Sequence, residues 1–259
     1  MNAFPPVPTR QRRPGAERAV VIACVALLVA LCWTYLLFRA ARMGAALRPD
    51  APLPAPYRRA EPALLYGMWL AMMWATMLPA ATPSVLLFAR VNRLYHAVRR
   101  PWRATALFML GYLSAWAVFS AGATLALWAL HDAGALDKAM AVTNATVAGL
   151  TLVAAGVYQW TPAKQESLAH CRAPLAFVLT GWRRGPWGAF RMGLTHGRYC
   201  VGCCWLLMAM LFAAGLTNLA AAAGLALLAM AEKLLPGGAG IATLAGLALV
   251  AWGTLLLFP

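Results

Sequence analysis

Ala19–Phe38 reads AVVIACVALLVALCWTYLLF, with no charge, no proline and no glycine. At the α-helical rise this run is about 30 Å long, the thickness of a bilayer's hydrocarbon core. It is too long for the core of a signal peptide, and no small-residue cleavage site precedes Arg39 and Arg42, so it reads as a retained first transmembrane helix. Residues 1–18, polar, proline-bearing and basic, read as a disordered tail. Pro49, Pro52, Pro54, Pro56 and Pro62 read as an extended linker. Further apolar stretches follow, and the sequence predicts an all-α integral membrane protein. Residues 19–259 are expected to form a bundle of six transmembrane helices, over about 19–38, 62–88, 104–130, 139–160, 199–230 and 241–258.

Composition agrees. Apolar residues make up 63% of the chain and charged ones 11%, against roughly 45–50% and 25% in a soluble domain. The net charge of +15 is therefore read through the loops, as topology and contact with the lipid bilayer. Its arginines lie in short clusters between apolar spans, which argues against nucleic-acid binding. Lys and Arg are dense in Arg90–Arg103 and Thr161–Arg198, while Lys138 and Lys233 stand alone in the alternate loops. That asymmetry predicts both termini on the cytoplasmic side of a bacterial inner membrane. Pro162, Pro174 and Pro186 argue against one continuous helix through 161–198.

The chemistry concentrates in His196-Gly197-Arg198-Tyr199-Cys200-Val201-Gly202-Cys203-Cys204-Trp205-Leu206-Leu207-Met208, where three of the six cysteines fall within five residues. On a helix, His196, Cys200, Cys203 and Cys204 stand at i, i+4, i+7 and i+8, which places them on one face. Thiolate and imidazole are ligands for Cu(I) or Zn(II). Adjacent helical positions diverge by about 100°, so Cys203 and Cys204 are expected to share an ion only if Gly202 loosens the turn. The same residues fit a thiol redox pair, Cys200-x-x-Cys203, or small side chains that only pack.

His170 and Cys171 form a second His–Cys pair, expected on the same side as Cys200. Met68, Met72, Met73 and Met77 form two stripes on the second span, with Met208 and Met210 on the fifth. They read either as core filling or as a thioether relay for a soft metal. Pro79 and Pro83 would open that helix locally. Asn218 lies in phase with Cys200 if the helix continues. Cys24 and Cys32 read as small residues of a span. No Gly-x-Ser-x-Gly, phosphate loop or His-Glu-x-x-His motif occurs, and acidic residues number seven. Hydrolytic and phosphoryl-transfer chemistry therefore has no support.

Trp69-Leu70-Ala71-Met72-Met73 with Met77-Leu78-Pro79, Gly111-Tyr112 with Trp116, and Tyr158-Gln159 with Thr161-Pro162 and Lys164 come in a fixed order. Cys171-Arg172 with Pro174, His196-Gly197 through Met208, Asn218 and Glu232-Lys233 follow. Together these motifs resemble the bacterial family of predicted metal-binding integral membrane proteins, which includes a copper chaperone associated with a bacterial tyrosinase. Ser167, Thr76 and Thr217 stand where that pattern has sulfur-bearing residues. The resemblance implies a non-enzymatic role in metal homeostasis, in which Cu(I) rather than zinc is bound and supplied to a cuproenzyme or small copper-carrier protein. It implies Cys200, Cys203 and Cys204 as principal ligands, His196, His170 and Cys171 as auxiliary ones, and Met72, Met73, Met77 and Met208 as the relay.

Overall fold

A computed structural model describes residues 14–46, 61–95, 101–137 and 140–258. Most of the expected basic tail and the proline-rich linker lie outside the described residues; positions 14–18 already belong to the first helix. The described chain is helical apart from one isolated antiparallel bridge, Leu136 to Val142. The helices are α1 Pro14–Ala46, α2 Pro62–Tyr95, α3 Pro101–Asp132, α4 Ala145–Tyr158 and α5 Pro162–Arg172. They continue as α6 Pro174–Thr180, α7 Gly185–Ala209, α8 Leu211–Ala214, α9 Leu219–Leu234 and α10 Gly238–Leu257. Five of them, within α1, α2, α3, α7–α8 and α10, contain apolar stretches long enough to cross a membrane. Large apolar side chains such as Val118, Leu125, Leu244 and Leu255 point outward, as a lipid-facing surface requires.

Proline opens helices here more often than it breaks them. Pro62, Pro101, Pro162 and Pro174 each stand at the first position of a helix, and Pro186 at the second position of α7, where the missing N–H costs nothing. The region 161–198 is accordingly not one helix but three successive starts. Pro79 and Pro83 stay inside a continuous α2.

Two expected spans take another form. Of the expected span 139–160, the described residues 140–160 are helical only over α4, which at 14 residues is about 21 Å long. Asn144 caps its start by accepting from the Thr146 and Val147 amides. The preceding loop docks on α8 through the Val142 N–H to the Phe212 carbonyl, 2.9 Å. Residues 199–230 are not one helix either. The chain turns at Gly215, whose φ of 91° is open to glycine and strained for other residues. Asn218 then caps α9 by accepting from the Ala221 N–H, 3.0 Å. The phase relation between Asn218 and Cys200 therefore lapses, because no single helix joins them. The chain doubles back, and α9 returns beside α7.

The tightest pairing is α3 with α7. A Cβ on Gly193 would overlap the Phe108 carbonyl, and one on Gly111 would overlap the Phe190 carbonyl. The two backbones thus touch directly, the close approach that small residues permit between membrane helices. Around α7 lie α2, α5 and α9. Gly193→Ala is expected to lower the unfolding midpoint of the detergent-solubilised protein, by the ~1–3 kcal/mol typical of overpacking. Gly224→Ala, where nothing lies within 4 Å of the added carbon, serves as the neutral comparison in the same thermal melt.

Candidate metal centre

The inward face of α7 carries His196, Cys200, Cys203 and Cys204, each at most 2% exposed, as the i, i+4, i+7, i+8 spacing requires. α7 runs unbroken through Gly202, yet the sulfurs of Cys203 and Cys204 lie 3.3 Å apart. The expected divergence is overturned: Cβ directions differ by about 100°, but side-chain torsions bring the two sulfurs together without unwinding. Gly202 has another use. A Cβ there would press on Ser167 Oγ at 2.7 Å, so the missing side chain admits α5. The Gly202 carbonyl accepts from the Tyr158 hydroxyl at 2.5 Å.

α5 contributes Cys171, whose sulfur lies 3.9 Å from that of Cys203. Its thiol is held well above the ordinary range, chiefly by hydrogen bonding toward Cys200, with burial adding to the effect. Cys203 itself directs its thiol to the Cys200 carbonyl, 3.2 Å. Cys200 is turned toward two other groups. The Tyr112 hydroxyl lies 3.1 Å from its sulfur and donates to the Met77 carbonyl at 3.0 Å. Lys233 Nζ donates to Cys200 Sγ at 3.0 Å and stands 3.7 Å from Met77 Sδ.

Met68, Met72, Met73, Met77 and Met208 are all buried in the core that holds the cysteines. Met77 alone among them is tied to the sulfur group through Lys233. Thr76 turns its hydroxyl onto the Met72 carbonyl of its own helix, 2.8 Å. His196 is enclosed by aromatic rings, with centroids of Phe177, Tyr112 and Phe108 at 5.4, 5.7 and 6.1 Å. Its Nδ1 finds no hydrogen-bond partner among the described residues. His170 goes elsewhere: it stacks on Tyr199 at 4.0 Å, with Nδ1 2.9 Å from the Glu166 carbonyl. Its partners are a ring and a carbonyl, not sulfur. Cys24 is exposed and Cys32 is buried against α2. Among the described residues no group of three or more His, Cys, Asp or Glu side chains is arranged to hold a metal ion as it stands.

A polar clasp holds these helices. Lys164 and Glu232 form a fully buried ion pair at 2.5 Å, and Gln159 Nε2 donates to the other carboxylate oxygen at 3.1 Å. Arg172 donates to the Glu232 and Leu235 carbonyls, at 2.5 and 2.8 Å, satisfying carbonyls that the end of α9 leaves open. Tyr112, Lys233, Lys164 and Glu232 are the residues that spacing alone missed. The usable signal was an ionisable pair, Glu232-Lys233, at the end of an apolar stretch, where such residues mark function by default.

Residues 66–256 match the family described as PpoB2, copper chaperone. The chain belongs to that family. The match spans every helix that touches the sulfur group, and it agrees with the family that the motifs resemble. No curated protein and no solved structure matches the chain. Glu232, within the family match, supplies a direct test of the clasp. Glu232→Gln leaves Lys164 unpaired and is expected to cost about 3–5 kcal/mol, and Lys164→Met/Glu232→Met to recover most of that loss. Thermal melts of the single and double variants measure the coupling.

Proposed function

We propose that this chain is a copper chaperone of the bacterial inner membrane. It takes Cu(I) on sulfur and supplies it to a cuproenzyme or a small copper-carrier protein. The observation that carries this reading is the meeting of four cysteine sulfurs, from α5 and α7, beside a methionine thioether from α2. Thiolate and thioether are the donors that select Cu(I). Hard ligands are not on offer, because Glu232 is already engaged by Lys164 and Gln159. Cys200, Cys203 and Cys204 are the principal ligands in this reading. Cys171 is auxiliary, and His196, one turn before Cys200, is a further donor. Met77 is the relay step nearest the thiols, with Met72, Met73 and Met208 behind it.

What these residues do follows from their chemistry. A cluster of interchangeable sulfurs lets the ion move by replacing one soft ligand with another, so no step requires a bare cation in an apolar interior. The packed helices keep out water, which would otherwise compete with the sulfurs for the ion. A thiol oxidoreductase working through Cys200 and Cys203 would leave Cys204 and His196 without a part in the chemistry. Cys203 directs its thiol to a carbonyl, and Cys200 faces Tyr112 and Lys233.

Metal analysis of detergent-purified protein from copper-supplemented cells is the test. Roughly one copper per chain is expected in the wild type, and little in Cys200→Ser/Cys203→Ser/Cys204→Ser. A copper-free wild type, or undiminished copper in the triple variant, overturns the reading.

A further inference from the structure

Lys233 is a cation in the sulfur group whose presence the proposed ligand set does not explain. It is 6% exposed, a costly position for a lysine in an apolar bundle. It does not join the clasp beside it, since Glu232 is held by Lys164, Gln159 and Arg172. Instead its Nζ stands between sulfurs of two helices, 3.0 Å from Cys200 Sγ on α7 and 3.7 Å from Met77 Sδ on α2. That is the space an ion bridging the same two sulfurs would need.

We propose, building on the copper reading, that Lys233 is the internal competitor of the cargo: Cu(I) enters by displacing Nζ from between Cys200 and Met77, and the return of Nζ helps expel the ion. An ammonium and Cu(I) carry the same single positive charge, so the exchange at Cys200 and Met77 leaves the charge of the buried sulfur group unchanged, and each further cysteine that joins the ion gives up its thiol proton. No bond is oxidised or reduced. The lysine has a short way out. It lies one residue before the end of α9, beside Leu234 and Leu235, which are 45% and 50% exposed. A four-carbon stem at a helix end can carry its head to the interface. Arg172 and the Lys164–Glu232 pair meanwhile hold the helix end in place, so the side chain moves and α9 does not.

The mutation-free test is acetylation of wild-type protein with a water-soluble amine reagent, mapped by mass spectrometry before and after Cu(I) loading. Lys233 is expected to be protected without copper and modified with it, while Lys164, paired to Glu232, stays protected in both. Equal modification of Lys233 in the two states overturns the proposal. In Cu(I) titrations against a competing chelator, Lys233→Leu, which removes the amine without adding a donor, is expected to retain copper at least about tenfold more tightly than wild type and to release it more slowly. Unchanged or weaker retention overturns the proposal, since a lysine that stayed to stabilise the thiolates would be missed rather than relieved. Should Lys233→Leu not fold, the acetylation result decides alone. Failure of the wild type itself to bind Cu(I) removes the copper reading and this inference with it; copper bound by the wild type with Lys233 unmoved removes only the inference.

Discussion

The ion pair between Lys164 and Glu232 holds the site together. It joins α5 to α9 with no exposure to solvent, and a lone charge in that position would be strongly destabilising. Everything around the sulfurs inherits its placement. Cys171 follows Lys164 by two turns of α5, and Lys233 follows Glu232 directly, so closing the pair delivers a thiol and an amine to the same face of α7. Gln159 donates to the second carboxylate oxygen and Arg172 to the carbonyls at the end of α9, so the carboxylate and the helix end are satisfied, while Gln159 Oε1 has no partner among the described residues.

Against that anchor, α7 contributes rigidity. Its backbone contact with α3 at Gly193 and Gly111 fixes the register of Tyr112 opposite Cys200. A hydroxyl that reaches both a thiol and the Met77 carbonyl links three helices through one side chain. The result is a group of soft donors held by close helix packing.

The sequence made the inward face of α7 legible, because helical periodicity is a local property and His196, Cys200, Cys203 and Cys204 all obey it. The helical membrane class and the family were legible for similar reasons, from long apolar runs and from motifs in a fixed order. The division of residues 199–230 was not, because both halves are equally apolar and only Gly215 and Asn218 mark the turn. The same holds for residues 140–143, which are largely apolar yet pair as a loop. Tyr112 and Lys233 stood within quoted motifs, but their partners lie 88 and 33 residues away, and no spacing rule reports contacts at that range. The closeness of Cys203 and Cys204 was hidden for a different reason: angular separation along a helix describes Cβ atoms, whereas ligands are sulfurs one torsion further out.

The turn at Gly215 has a consequence for access. Because α9 doubles back along α7, the chain on either side of the sulfur group returns to one rim, where Arg172 grips the carbonyls of Glu232 and Leu235. Cys171 and Lys233 sit one residue inside that grip. The sulfur group therefore lies next to the ends of α5 and α9. At that rim the half-buried Cys171 thiol and the Lys233 amine come from two helix ends to the same face of α7, so the cysteines are reached by the shortest path from there.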